Sequence, residues 1–451
     1  MKTSIYNLYI ELNSGEVLAY NTMSCMLGNI GGELYNMLCK INPGQKIPDD
    51  YKNHAAFYSE IDKLEKGGFV IGDDIDEIEQ LKEMQQYRRF QNNNLLNITI
   101  APTLDCNFNC IYCYENAENN KNDRVLMTKD IADSVIEYID DYFTNGGELN
   151  VAWFGGEPTL ALDMVYYISN AIAGITAKKH IKNNSYIVTN GYLLDRIVAN
   201  ELSQRGISQA IISVDGCCYS HDSRRPLKNG EGTFDVIIEN IKNICDIIEV
   251  SIKVTLDREN CQNVNMLLDT LEDNGIKDKV NLEATVIEAY EYSCDSVKRN
   301  ALLTYEFANV YSEFMKTAIE RHFRVIPFPL ANRYACSAIC NNSLVVGPKG
   351  ELHKCVNTLG RDDEVFGSIQ DVNHKKSESE NYTKWMSQPF YETENCLNCK
   401  VLPMCMGSRC VRNKILKYAA TLNGESSCTQ FKYNIEQLIK HVYASYKTTK
   451  H

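Results

Sequence analysis

The chain has 451 residues, 44% hydrophobic and 23% charged, which is enough for two or three domains with a large buried interior. Its formal net charge of −13 argues against long-range attraction to nucleic acid or anionic lipid. Residues 1–15 carry no apolar signal segment, and no stretch approaches the roughly 18 apolar residues of a membrane span. We therefore predict a cytoplasmic protein that has neither nucleic acid nor a membrane as a partner.

Residues 1–93 are predicted to form a small α+β domain similar to a winged helix. Two strands at 5–12 and 16–20 flank a turn at Asn13-Ser14-Gly15. Helical patterns follow at 30–40, 53–65 and 76–89, with a short apolar strand at 69–71. This arrangement suggests a module separate from the rest of the chain.

From residue 94 to residue 318 apolar strands alternate with amphipathic helices. The predicted strands cover residues 97–103, 149–154, 185–188, 209–214, 250–256 and 281–287. A helix between the first two is indicated by Ile131, Val135 and Ile139 after the possible cap Thr128. Six strand–helix units predict an α/β fold, a partial (β/α)6 barrel, with its chemistry at the carboxyl ends of the strands.

Residues 319–451 lose this periodicity and gain cysteines. The chain has 18 cysteines, which in a reducing compartment are better candidates for metal ligands than for disulfides. A segment that buries little apolar surface can be stabilised by metal ligation. We therefore predict a cysteine-rich C-terminal domain.

Three cysteines, Cys106, Cys110 and Cys113, follow the first barrel strand directly. Their spacing lets three thiolates converge on one iron–sulfur cube and leaves the fourth iron open to another ligand. A zinc site is the alternative, although zinc prefers a closed tetrahedron of four ligands. We call residues 103–113 the three-cysteine loop.

This motif, with Tyr112 before its last cysteine, resembles the signature of the radical S-adenosylmethionine (SAM) superfamily. The resemblance implies a [4Fe–4S] cluster whose open iron binds the amino and carboxylate groups of SAM. One electron then cleaves SAM to a 5′-deoxyadenosyl radical.

Residues at later strand ends are similar to other family positions. Gly155 and Gly156 permit close backbone approach, and Glu157 can accept a hydrogen bond from the SAM ammonium. Asn190, Ser213 and Asp215 resemble residues that contact the ribose and carboxylate, although Val188 stands where relatives often carry glutamine. Arg225 would pair with the SAM carboxylate, and a solvated arginine is the alternative.

Eight further cysteines resemble the SPASM domain, which carries two auxiliary [4Fe–4S] clusters. By this resemblance one cluster is held by the first cysteine group: Cys336, Cys340, Cys355 and Cys410. The other is held by the second cysteine group: Cys396, Cys399, Cys405 and Cys428. Four residues separate Cys405 from Cys410 where the family usually has three, and Cys336 could instead be spare. Most of the other cysteines are expected to be buried small hydrophobes.

The combination resembles maturases of ribosomally made peptides, including those that form ranthipeptide and sactipeptide thioethers. The N-terminal module would then recognise the leader of a precursor peptide as an added strand; a structural cap is the alternative. We predict a radical SAM oxidoreductase that joins a peptide cysteine to a carbon of an acceptor residue and takes electrons from a flavodoxin or ferredoxin.

Three other functions stay open at this point. Carbon–carbon crosslinking uses the same machinery. Anaerobic sulfatase-type maturation to formylglycine is less favoured, because Val356 follows Cys355 where those enzymes carry an aspartate base. An electron carrier would not need the Gly-Gly-Glu-Pro segment. The catalytic acid or base is unassigned, since Glu283 and Glu288 are equally consistent with structural roles.

Overall fold

The computed structural model describes residues 1–113, 125–287, 289, 295–325, 336–371, 379–389, 391, 394–407, 410–415 and 428–448. Its strands are β1 (Lys2–Thr3), β2 (Asn7–Glu11), β3 (Val17–Asn21), β4 (Met26–Ile30), β5 (Val70–Ile71), β6 (Leu95–Ile100), β7 (Glu148–Trp153), β8 (Lys182–Thr189), β9 (Ile207–Ser213), β10 (Glu249–Leu256), β11 (Val280–Val286), β12 (Arg324–Val325), β13 (Ser343–Val346), β14 (Glu351–His353) and β15 (Gly367–Ser368). Its α-helices are α1 (Gly32–Leu38), α2 (Asp49–Lys52), α3 (Ala55–Tyr58), α4 (Ile61–Lys66), α5 (Glu77–Gln86), α6 (Lys129–Tyr142), α7 (Leu162–Lys179), α8 (Arg196–Gln204), α9 (Cys218–Arg224), α10 (Phe234–Ile244), α11 (Val264–Asp273), α12 (Asp295–Asn300), α13 (Thr304–Glu320), α14 (Glu380–Met386), α15 (Leu402–Cys405), α16 (Val411–Ile415) and α17 (Phe431–Thr448).

The central sheet contains the six predicted strands as parallel neighbours. Its order is β12-β11-β10-β9-β8-β7-β6-β13-β14-β15, so β6 to β11 lie side by side in chain order. The cysteine-rich region extends this sheet, because β13 pairs parallel with β6 and β14 and β15 add antiparallel strands. The prediction of an α/β fold with a mostly parallel sheet is confirmed.

The two faces of these strands differ in polarity. Leu96, Ile98 and Ile100 of β6 lie in the main hydrophobic core. On the other face, Asn150 Nδ2 donates to Asn97 Oδ1 over 2.9 Å, and this polar row continues onto β8. The alternation follows from the period of two in a strand.

Helices cover the apolar face, as the sequence pattern predicts. The Thr128 hydroxyl accepts from Ile131 N over 3.5 Å at the start of α6, and Ile131, Val135 and Ile139 are buried. Residues 158–179 form a helical stretch long and apolar enough to cross a membrane by length and composition alone. Val165, Ile168 and Ile172 of this stretch lie in the core, as in a core helix of a globular domain.

The N-terminal residues form a three-stranded antiparallel sheet, β2-β3-β4, packed against short helices. The third strand was not predicted. β1 pairs with β5 in a separate two-stranded sheet. The other face of the β2-β3-β4 sheet packs against α17, where Leu18, Tyr20, Ile435 and Ile439 share one core.

Contacts cross the predicted domain boundaries. The boundary between 318 and 319 lies inside α13, which spans Thr304–Glu320. Asn434 Nδ2 of α17 donates to Ala308 O of α13 over 2.8 Å. The C-terminal helix therefore contacts both the core helices and the N-terminal sheet.

Candidate radical site at the strand ends

The three-cysteine loop lies directly after β6, against the carboxyl end of β7. Cys113 N donates to Cys110 O over 3.2 Å, and Phe108 N donates to Cys106 Sγ over 3.4 Å. Burial raises the pKa of the Cys106 thiol, and the charges of Glu157, Cys110 and Cys113 add to the effect. The three predicted cluster ligands are therefore close to one another.

Two glycines allow this close approach. Gly156 N donates to Thr103 O over 3.1 Å, and a Cβ on Gly156 would lie 2.5 Å from Leu104 O. Gly155 has φ of 118°, and a Cβ there would collide with Thr103 O. A side chain at either position would force the loop away from β7.

Glu157 is fully buried and anchors two strand ends. Its carboxylate accepts from Thr159 Oγ1 and Thr189 Oγ1, both over 2.6 Å, and from Asn190 N over 2.7 Å. It also accepts from Thr159 N over 3.1 Å. Burial raises the pKa of this carboxyl, and these hydrogen bonds oppose the shift. Its predicted contact with the SAM ammonium stays a prediction.

A charged network lies behind Tyr112. The Tyr112 hydroxyl donates to Asp215, whose carboxylate lies 3.5 Å from Arg224 Nε. Arg224 Nη1 also donates to Asp257 over 2.6 Å. Arg225 Nη1 donates to the Tyr112 oxygen over 2.6 Å. Arg224 is thus neutralised by two carboxylates, whereas Arg225 contacts Tyr112 of the three-cysteine loop.

Arg225 has features of an anion-binding residue. It is 9% exposed, and its buried Nε has no hydrogen-bond partner. Within the described part of the chain, no carboxylate lies within 4.0 Å of its guanidinium. A buried cation without a paired anion is costly, so an anionic ligand would be favoured there.

A cavity of about 360 Å³ opens at the carboxyl ends of the parallel strands. All three loop cysteines line it. The predicted cofactor residues that line it are Tyr112, Gly155, Gly156, Asn190, Ser213 and Arg225. Glu157 and Asp215 are not among its lining residues and support it from behind. The volume lies in the usual range for small-molecule sites.

Four further polar residues that line the cavity were not predicted from the sequence: Lys253, Thr255, Thr285 and Asn357. The first three lie on β10 and β11, and the period of two would have placed them on the polar face with Ser213. Asn357 comes from the cysteine-rich region, two residues after Cys355. No local pattern links it to the barrel.

Glu283 is exposed on β11 and does not line the cavity, and Glu288 lies outside the described residues.

The first cysteine group is brought together from distant parts of the sequence. Burial raises the pKa of Cys355 to about 12, and the charges of Cys336 and Cys410 contribute to the shift. Cys340 is buried in a small core against which Cys355 packs.

The second cysteine group surrounds α15. Burial raises the pKa of Cys405 to about 11, with smaller contributions from the charges of Cys428 and Cys399. Cys399 N donates to Cys396 O over 3.0 Å. Among the described residues no three His, Cys, Asp or Glu side chains converge on a single metal-ion position. Thiolates of a four-iron cluster bind separate irons, so they do not share one such position.

The seven cysteines outside the loop and the two cysteine groups were expected to be mostly buried, and the structure differs from this expectation. Of the six that are described, only Cys217 is buried, and Cys39 and Cys218 are exposed. Neither Cys217 nor Cys218 lines the cavity. Cys294 lies outside the described residues.

Residues 100–272 match the family model of the radical SAM superfamily. The chain therefore carries a radical SAM domain, as the three-cysteine loop predicts. Such a domain implies a [4Fe–4S] cluster and SAM. The site fits both, because three adjacent thiols adjoin a cavity that contains a buried arginine without a paired anion.

Two curated relatives extend beyond this domain. The radical SAM cyclopropyl synthase TigE of Paramaledivibacter caminithermalis is 25% identical, over 92% of this chain and 90% of that protein. The cysteine-type anaerobic sulfatase-maturating enzyme of Clostridium novyi is 23% identical, over 76% of this chain and 95% of that enzyme.

Two solved structures share the fold. The enzyme anSMEcpe with bound AdoMet has a TM-score of 0.58 at 19% identity, over 79% of this chain and 98% of that chain. Streptococcus suis SuiB bound to its precursor peptide SuiA has a TM-score of 0.54 at 15% identity, over 95% of this chain and 99% of that chain. The second similarity includes most of the regions before and after the barrel.

Proposed function

We propose that this protein is a radical SAM maturase that forms a thioether between a cysteine and an acceptor carbon in a ribosomally synthesised precursor peptide. One observation carries the proposal. A single cavity is lined by the three loop cysteines, by Arg225 and, from the cysteine-rich region, by Asn357. A substrate in this cavity would lie between the radical source and the first cysteine group.

The loop cysteines would hold the cluster, and Arg225 would bind the SAM carboxylate. Tyr112 bridges Arg225 and Asp215, and so would fix the orientation of the guanidinium. When bound, the reduced cluster and SAM supply a 5′-deoxyadenosyl radical that can remove a hydrogen atom from carbon. Glu157 would tie the glycine segment to the end of β8 through its hydrogen bonds with Thr189 and Asn190, while its backbone N–H donates to Asp105 O of the loop.

The first and second cysteine groups would each hold an auxiliary [4Fe–4S] cluster. When bound, these two clusters would accept the electron that is released when the new carbon–sulfur bond forms. The grouping of the thiols supports this role, since the charges of Cys336 and Cys410 act on Cys355, and those of Cys399 and Cys428 act on Cys405. An external flavodoxin or ferredoxin would supply the starting electron.

The N-terminal sheet would bind the leader of the peptide. β4 is an edge strand, and its Met26 side chain is 49% exposed. An extended peptide can add a strand to such an edge through main-chain hydrogen bonds. The likeness to SuiB, whose structure contains its precursor peptide, supports this role.

Carbon–carbon bond formation is the second candidate. The similarity to a cyclopropyl synthase over 92% of the chain favours it. Formylglycine formation is less supported despite the similarity to a sulfatase-maturating enzyme, because Val356 follows Cys355.

The test is anaerobic incubation of reconstituted enzyme, SAM and dithionite with cysteine-bearing peptides encoded beside its gene. Thioether formation predicts the loss of two hydrogen masses and of one thiol that reacts with iodoacetamide. Carbon–carbon formation predicts the same mass with every thiol still reactive, and formylglycine formation predicts the loss of sulfur. An unchanged peptide, with deoxyadenosine released, would refute the proposal, and a variant without the three loop cysteines is the control.

A further inference from the structure

Three cationic side chains are buried around the first cysteine group. Lys354, Arg89 and Arg412 are 2%, 6% and 1% exposed, respectively. Charged residues of this kind are rarely buried unless the surrounding structure compensates their charge. They come from three separate segments, so no single turn of chain accounts for their presence together.

Hydrogen bonds hold two of these cations beside the thiols. Lys354 Nζ donates to Cys340 O and Ser343 O, both over 2.6 Å. Arg89 Nε donates to Ile339 O over 3.0 Å, next to Cys340. Both cations are therefore fixed against the backbone that carries Cys340.

The charges of these residues act on the thiols. Burial raises the pKa of Cys340, and the charges of Lys354 and Arg89 oppose that shift. The charge of Arg412 likewise opposes the rise in the pKa of Cys355, of which burial is again the main cause.

A buried carboxylate of the same region is already neutralised. Glu364 is 2% exposed and lies 2.8 Å from Lys384 Nζ. It also accepts from Trp385 Nε1 over 3.4 Å, and Trp385 packs in the same small core as Cys340. Glu364 is thus paired with its own cation and hydrogen-bond donor, separately from Lys354 and Arg89.

The second cysteine group has a different environment. Lys432 Nζ lies 3.7 Å from Cys428 Sγ, but this lysine is exposed. Solvent screens an exposed charge strongly and a buried charge only weakly. Cys405 lies beside two other thiols, Cys428 and Cys399, whose charges raise its pKa.

We propose that Lys354, Arg89 and Arg412 raise the electron affinity of the iron–sulfur cluster on the first cysteine group above that of the cluster on the second. This inference rests on the proposed function, in which both groups hold clusters. A cluster on four thiolates is an anion that gains one further negative charge on reduction, so buried positive charge favours its reduced form. Because Asn357 lines the cavity two residues after Cys355, the cluster with the higher affinity also lies beside the substrate.

These cations would act on the cluster and not on the substrate, so the quantity to measure is the reduction potential of the cluster. The full-length protein, with its three loop cysteines replaced by alanine and its auxiliary clusters reconstituted, is titrated with dithionite and followed by electron paramagnetic resonance. We expect Lys354→Met to lower the electron affinity of one cluster about tenfold, which is about 59 mV for a one-electron couple. Lys354→Arg keeps the charge and should stay near the parent value.

Arg412→Met is the second variant and should shift the same cluster in the same direction. Lys432→Met is the matched control, and we expect less than a threefold change at the other cluster. Unchanged potentials in both Lys354→Met and Arg412→Met, with iron content equal to that of the parent, would overturn the inference. A parent that binds no iron at the first cysteine group would instead refute the proposed auxiliary cluster.

Discussion

Replacing Arg225 by methionine should weaken SAM binding while destabilising the protein less than the same replacement at its buried neighbour Arg224. The guanidinium is buried at the cavity wall, where its Nη1 donates a hydrogen bond to the Tyr112 oxygen. Removing one partner of a buried charged pair costs about 2–5 kcal/mol, which is roughly 30-fold to a few thousand-fold in Kd. Without SAM the Arg225 charge is attracted by Tyr112, Cys110 and Asp215 but has no carboxylate within 4.0 Å among the described residues, so its removal should lower the free energy of unfolding by less than the removal of Arg224 does.

Arg224 provides a matched control, because it is equally buried but neutralised by Asp215 and Asp257. Arg224→Met should lower the free energy of unfolding by about 3–5 kcal/mol, since it leaves two buried carboxylates without their cation. The assays are anaerobic equilibrium dialysis of SAM and thermal unfolding without SAM. If Arg225→Met destabilises the protein as Arg224→Met does and leaves the Kd unchanged, Arg225 is structural.

Three further predictions concern the support of the site. Burial lowers the pKa of His221 to about 3, whereas its value in the unfolded chain is about 6.5. The neutral imidazole therefore contributes stability that is fully present above pH 6.5 and is lost as the pH falls toward 3. At pH 5.5 the loss is about 1.4 kcal/mol, and thermal scans should show a shallower pH dependence in His221→Asn; equal slopes would contradict this. Glu157→Gln should lower the free energy of unfolding by about 1.5–3 kcal/mol, because the amide cannot accept all four hydrogen bonds. Urea titrations measure this change, and an unchanged midpoint would be inconsistent with the hydrogen-bond network. Gly156→Ala should reduce iron incorporation at the three-cysteine loop, since its Cβ would lie 2.5 Å from Leu104 O. The control Gly174→Ala has no atom within 4 Å of its Cβ and should retain the iron. Equal iron contents in the two variants would refute the steric argument.

The sequence predicted the parallel strands well because apolar residues recur at every second position along β6, β10 and β11. β8 is longer than predicted, since it begins at Lys182 with polar residues. Asn184 belongs in the strand because its side chain donates to Glu148 and Asn150 of β7. Such contacts across strands are invisible in a single segment.

Two other features depended on distant residues. β4 was missed because Gly28 and Asn29 weaken its strand pattern, although pairing with β3 fixes it. Asn357 lines the cavity, and its region of the chain joins the barrel sheet through the pairing of β13 with β6. The cofactor motifs were predictable because each one follows a strand end.

The position of the N-terminal sheet bears on how a leader peptide would be used. Leu18 and Tyr20 pack in one core with Val401 and Met404, which lie between Cys399 and Cys405 of the second cysteine group. The Thr22 hydroxyl also donates to Lys400 O. A strand added to β4 would therefore join a sheet already packed against that group, rather than a module attached only through a linker. Because metal ligation would stabilise residues 396–405, loss of the second cluster should also weaken the platform on which the leader docks.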